Sequence, residues 1–331
     1  MNKSEFLLNI PNSILIRLKD INLDVPTTNC NTAVNELLQK SVLLGGKRLR
    51  PLLTYIFCDF FGVDLEDPRC DICATSIEMV HAASLAHDDV IDDATLRRGN
   101  PSINIQASNK KAVLAGDYLL AAVIRRLSEQ GSLELVSEMS KVIQALSEGE
   151  WIQADAIEHR QYTRELIDTI AKNKTSSVMS WCGISAALIS DLDESKRESV
   201  IKMSEKFGNH LGMAFQLLDD TLDFSEDSQK DTLIDLKNGQ VNSVIYEWLI
   251  LHPEIFNSFK NGEDILDLFN EDQIEQCIHT IRDQALTHLN ECRNLLTSMR
   301  ECLEDVVSAK QLDRGEKTLK FILKFLENRK S

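Results

Sequence analysis

Asp88, Asp89 and Asp92, and again Asp219, Asp220 and Asp223, repeat one spacing at positions 131 residues apart. On a helix, residues three and four apart share a face, so each triplet stacks carboxylates that repel one another unless a cation lies between them. A solvated face would carry compensating lysines, yet no basic side chain other than histidine lies between Glu78 and Arg97, and both triplets interrupt apolar runs, Ala83-Ser-Leu-Ala-His and Met213-Ala-Phe-Gln-Leu-Leu. Hard oxygen ligands on rigid elements suit Mg²⁺, which is held by few carboxylates and completes its shell with water and phosphate oxygens. The Asp-x-Asp-x-Asp-Gly loop and closing Glu of an EF-hand are absent.

A carboxylate–Mg²⁺ site implies an anionic ligand, and cations stand in matching places. Gly45-Gly-Lys47-Arg48-Leu-Arg50-Pro51 puts three at an expected helix start, where free backbone N–H groups also favour anions. Arg97-Arg98-Gly99 follows the first triplet, and Lys174-Thr175 opens a later helix. Each alone reads as a solvated end; together they describe a diphosphate site. The polar stretch 225–240 after the second triplet is where a closing lid is expected.

The elements that must hold these groups are helical. The 331 residues include only 6 prolines and 13 glycines, with 6% aromatics, a helix-forming composition. Periodicity and breakers predict a leading segment over 1–30 and helices near 33–43, 47–62, 69–93, 110–129, 132–157, 163–172, 175–190, 195–224, 240–250, 272–299 and 308–328. Cys73–Leu85 and Ala112–Ile124 are apolar on much of their circumference and belong at the centre of a bundle. No Gly/Ser/Pro-rich linker divides the chain, so one domain over 1–331 is expected, an all-α bundle of ten or more helices. The formal charge of −16 argues against nucleic acid as a partner. Without a signal-like N-terminus or an apolar run of about 20 residues, a cytoplasmic protein with no transmembrane segment is expected. The eight cysteines, Cys70-Asp-Ile-Cys73 included, read as reduced thiols.

In order along the chain, GGKRLRP, HDDVIDDATLRRGNPS, AGDYLL, EGEWIQ, KTSS and FQLLDDTLDF resemble the motifs of the trans-isoprenyl diphosphate synthases. The resemblance implies a helix bundle around a deep cavity (the isoprenoid synthase fold), a homodimer, and Mg²⁺-dependent condensation of isopentenyl diphosphate with an allylic diphosphate. By position it implies that Asp88, Asp89, Asp92, Asp219 and Asp223, supported by Asp220, ligate about three Mg²⁺ ions holding the allylic diphosphate. Arg97, Lys174 and Lys230 would bind the same group; Lys47, Arg50, His81 and Arg98 would hold isopentenyl diphosphate; Thr175 and Gln216 would steady the allylic carbon. His87, Cys58 and Met79 are read as core.

Ala83 and Ser84, four and five places before the first triplet, stand where short-chain members carry aromatics, so a long-chain product is implied, with a floor at Ile77, Leu120 or Ile124 and Ala83→Phe expected to shorten it. Gln240 replaces the usual second lid lysine, leaving Lys237 as a candidate substitute. The rival readings are a shorter-chain farnesyl or geranylgeranyl type, a terpene cyclase, which would lack the isopentenyl site, and a non-catalytic subunit of a heteromeric synthase, which would tend to lose an Asp motif.

Overall fold

The computed structural model describes residue 6 and residues 8–25, 32–224, 236–265, 268 and 273–328. Lys230, Cys30 and most of the expected lid lie outside the described residues. The chain forms α1 (Asn12–Lys19), α2 (Thr32–Lys40), α3 (Leu49–Phe60) and α4 (Pro68–Ile91), then a small antiparallel hairpin, β1 (Leu96–Arg97) and β2 (Asn100–Pro101). There follow α5 (Ile103–Gln106), α6 (Asn109–Glu129), α7 (Leu133–His159), α8 (Arg164–Ala171), a π-turn (Lys172–Ser176), α9 (Ser177–Leu188) and α10 (Glu194–Leu222). The last elements are α11 (Ser243–Leu251), α12 (Pro253–Lys260), α13 (Ile274–Leu303) and α14 (Ala309–Glu327).

The helix starts are set by capping side chains. Asp67 accepts from the Arg69 N–H ahead of Pro68, and Ser108, Ser132, Thr163, Asp193, Asn242 and Ser308 each accept from the N–H three residues on, satisfying donors that the first turn leaves unpaired. The hairpin, α5 and α12 depart from the sequence expectation, the hairpin and α5 because each is too short for a periodic signal. The break expected near 173 is instead a π-turn that carries α8 into α9 without a loop.

α4 and α9 are buried around most of their circumference and form the centre. The Trp181 indole N–H of α9 donates to Cys73 O of α4 at 3.1 Å. α10 presses against the π-turn and α9 through Gly212 and Gly208: a Cβ there would lie 2.4 Å from Ser176 Cα and 2.2 Å from Ser180 Cα. Only glycine permits that approach. α14 closes onto α3, where Arg314 forks onto the buried Asp59 carboxylate, its Nε at 2.7 Å from Oδ2. The apolar core runs unbroken from Ile10 to Leu326 and includes Met79 and the Cys58, Cys70 and Cys73 thiols, none of them in a disulfide. Among the described residues no helix is long and apolar enough to cross a membrane.

Candidate active site

A cavity of about 560 Å³ lies among α4, α7, α8, the π-turn and α10, and is rimmed by the segment entering α11. One part of its wall is acidic, with Asp88 and Asp92 from the end of α4, Glu150 from α7, and Asp219 and Asp223 from α10. Another part, Leu85, Leu146, Ile167, Ile170 and Phe215, is apolar.

Each aspartate triplet divides by helical geometry. Neighbouring residues point about 100° apart, so the residues four apart face the cavity together and the middle one turns aside. Asp89 is fully buried and is not on the cavity wall. It accepts from Arg97 Nε at 2.5 Å and from the Ile103 N–H at 3.3 Å, fastening the hairpin and α5 to α4. Arg97 is thereby turned to Asp89 and away from the cavity. Asp220 borders the cavity, but one of its oxygens takes the Ser243 N–H at 2.9 Å and the other the Gln216 amide at 2.8 Å. The structure therefore brings Asp88, Asp92, Asp219 and Asp223 together and gives Asp89 and Asp220 anchoring contacts.

Burial pushes the Asp88 carboxyl up to about 7, with Glu150 and Asp92 adding to the shift and Lys174 opposing it. Asp92 is raised for the same reasons, burial first and then Glu150. The cavity wall carries more carboxyl groups than the Arg50 and Lys174 cations can offset, which is the electrostatic demand of a cation site. All the donors are oxygens, which fits Mg²⁺. No three metal-binding side chains among the described residues converge on one point, so an ion held here would take most of its shell from water and ligand oxygens, as Mg²⁺ does.

The cationic groups are arranged in two places. Lys174, on the π-turn, forms an ion pair with Glu150 and donates to Gln153 Oε1 at 3.0 Å. Thr175 Oγ1 donates to Gln216 Oε1 at 2.8 Å. Elsewhere on the wall stand Arg50 and His81. Arg50 Nε is enclosed without a hydrogen-bond partner, and burial lowers the pKa of its guanidinium. His81 is driven well below its ordinary pKa by burial and then by Arg50 and Arg98, so the ring is neutral at neutral pH. Arg98, at positive φ, donates to Leu44 O at 3.0 Å and lies against the Gly45-Gly46 turn. Lys47 is exposed on that turn. Arg48, between them, pairs at 2.6 Å with the buried Glu78.

Gln240 and Asn242 line the rim. The root of the expected lid is pinned by Tyr162 Oη, which donates to Gly239 O at 2.9 Å, and by Arg160 Nη2, which donates to Lys237 O at 3.0 Å. Lys237 itself faces Asp264 at 3.5 Å and is not on the wall, so it does not stand in for the lysine that Gln240 replaces. Asn242 caps α11 and donates to Asp223 at 3.2 Å.

Of the five residues expected to govern product length, only Ser84 reaches the cavity. Ala83 and Ile77 are fully buried in the apolar core, and Leu120 and Ile124 pack against that core away from the wall. His87, expected in the core, is only half-buried, with Nε2 3.2 Å from Val113 O and 3.5 Å from the Asp117 carboxylate. Sequence reasoning gave no role to Glu150, Gln153, Tyr162 and Asn242. The signal for the first two was their spacing of three on α7, which sets both on the cavity side.

A family model described as polyprenyl synthetase matches residues 31–281. The chain is 31% identical over 226 residues to the octaprenyl diphosphate synthase of Haemophilus influenzae, covering 67% of this chain and 65% of that protein. It is 36% identical over 201 residues to heptaprenyl diphosphate synthase component 2 of Geobacillus stearothermophilus, covering 60% and 61%. The matched stretch thus spans less than two thirds of either relative. In fold it is similar to the crystal structure of a polyprenyl synthase from Caulobacter crescentus complexed with calcium and isoprenyl diphosphate, with TM-score 0.75, 20% identity, and coverage of 99% and 98% of the two chains.

Proposed function

The chain belongs to the polyprenyl synthetase family, and on that premise we propose that it is a single-domain trans-prenyltransferase joining isopentenyl diphosphate to an allylic diphosphate. The observation that carries this reading is one cavity with two kinds of polar wall: an acidic cluster with Lys174, and elsewhere the Arg50 guanidinium with the neutral His81 ring. A terpene cyclase needs only the first.

Asp88, Asp92, Asp219 and Asp223 would hold Mg²⁺, which neutralises the diphosphate and favours its departure. Lys174 would exchange Glu150 for the leaving diphosphate. Thr175 presents its oxygen to the carbon left positive, with Gln216 behind it. Arg50 and His81 would orient the isopentenyl diphosphate so that its double bond attacks that carbon, with Arg98 and Lys47 at the entrance to that corner. Leu85, Leu146 and Phe215 exclude water that would quench the cation. The C–O bond to the allylic diphosphate breaks, a C–C bond forms, and a proton leaves to the released diphosphate.

A long-chain product is supported by the small Ser84 on the wall and by the octaprenyl and heptaprenyl relatives. Exposed Val113 and Leu114 on α6 and Trp151 on α7, the last 73% exposed, support association with a second copy. The free buried thiols support a reducing compartment, the cytoplasm. The test is purified protein with Mg²⁺, labelled isopentenyl diphosphate and a panel of allylic primers, with product length read by chromatography. Incorporation is expected; none with any primer refutes the reading. Incorporation only on adding a second protein would favour the subunit alternative, to which Gln240 and the "component 2" relative point.

A further inference from the structure

Resting on the prenyltransferase reading, we propose that Asp220 is a positioning residue rather than a metal ligand, and that it dictates which atom of Thr175 faces the reacting carbon. Each oxygen of Asp220 is engaged in one hydrogen bond: Oδ2 accepts the main-chain N–H of Ser243 at 2.9 Å and Oδ1 accepts Gln216 Nε2 at 2.8 Å. A main-chain N–H can only donate, and a carboxylate can only accept. With the Gln216 nitrogen drawn to Asp220, its Oε1 must point the other way, to Thr175 Oγ1 at 2.8 Å. An amide oxygen also only accepts, so Thr175 spends its proton on Gln216 and keeps lone pairs for the cavity it lines. A carbon becoming positive there meets oxygen lone pairs instead of a hydroxyl proton. Asp220 and Thr175 are 5% and 9% exposed, so bulk water does not rearrange this chain of bonds.

An asparagine at 220 has a single acceptor oxygen. If the Ser243 N–H retains it, the new amide nitrogen faces Gln216. Gln216 then turns over to offer its oxygen, and its NH₂ comes to face Thr175. The threonine must accept, and its proton swings toward the reacting carbon.

The experiment compares wild type, Asp220→Asn, Thr175→Val and the double variant in steady-state and single-turnover assays across Mg²⁺ concentrations, with binding of a non-ionising allylic thiolodiphosphate as the check on folding. For Asp220→Asn, kcat is expected to fall on the order of a hundredfold, the low end of the cost of removing one preorganised dipole. Both KM values and the half-saturating Mg²⁺ concentration are expected to stay put, and the double variant should be no slower than Thr175→Val. A raised Mg²⁺ requirement with kcat restored at high Mg²⁺ would make Asp220 a ligand and overturn the proposal; so would multiplying losses in the double variant, or wild-type rates in Asp220→Asn. Should that variant not fold, Gln216→Leu decides: an unchanged Mg²⁺ requirement with lowered kcat supports the positioning role, while a raised requirement, from a metal ligand that has lost its support, overturns it. A wild type silent with every primer refutes the prenyltransferase reading, a result distinct from any of these.

Discussion

Ser84→Phe should shorten the product sharply, and the structure sets the scale. Ser84 stands one helical turn below Asp88, about 6 Å along α4, with its hydroxyl folded back onto His81 O at 2.9 Å, so it presents a small surface to the cavity. A cavity of roughly 150 Å³ takes one benzene ring, so a phenyl group would fill about a quarter of the 560 Å³ here. A ring has six carbons and an isoprene unit five, so the substitution denies about one unit its place and, being close to the diphosphate end, obstructs those beyond. At about 0.8 kcal/mol per buried CH₂, excluding five carbons costs roughly 4 kcal/mol, about a thousandfold in the partition between elongation and release. Labelled products, dephosphorylated and resolved by chain length at equal conversion, should collapse to the farnesyl or geranylgeranyl range. A distribution matching the wild type would refute the reasoning. Ala83→Phe is the control: the site is fully buried in core, and overpacking should cost about 1–3 kcal/mol of stability without altering length. A stable Ala83→Phe enzyme making short products would put the tunnel on the other side of α4.

Gly212→Ala places a methyl 2.4 Å from Ser176 Cα; it should cost about 1–3 kcal/mol and, by displacing the π-turn, lower kcat more than KM, whereas unchanged melting and turnover would contradict the packing. Asp88 binds its proton more tightly folded than unfolded, at about 7 against an ordinary carboxyl value of 3.8, so its contribution to stability declines as pH rises through that interval in metal-free protein. In EDTA the Asp88→Asn variant should therefore melt higher than wild type at pH 8 and alike at pH 4; parallel curves would count against the buried acidic cluster. Gln240→Lys restores a cation on the cavity rim and should lower the KM for the allylic substrate by about tenfold, worth about 1.4 kcal/mol, with an equal KM in both proteins as the opposing result.

The long, strongly patterned helices were legible from sequence, as was the pairing of two distant acidic clusters. Asp88 with Asp92, and Asp219 with Asp223, could be placed because a spacing of four survives any detail of packing. The same periodicity turns Asp89 off the cavity wall, while Asp220 stays at its border. The contacts those two residues make, with the Arg97 guanidinium and the Ser243 N–H, depend on a hairpin and a helix start that only tertiary packing brings near. The π-turn was not legible because one extra residue in a turn has no composition of its own. Ala83 and Ser84 differ in fate for a similar reason: adjacent residues point about 100° apart, and which one meets the cavity depends on the rotation of α4 against α6 and α9.

The grip of Arg314 on Asp59 has a consequence for biosynthesis. The two residues are 255 positions apart, an interval that a ribosome working at about 5–20 residues per second takes roughly 13–51 s to traverse. Throughout that time α3 emerges without the helix that covers it, leaving a buried-type carboxylate and its aromatic neighbours Phe57, Phe60 and Phe61 open to the surroundings. Closure of the bundle over α3 therefore waits until α14 has been made.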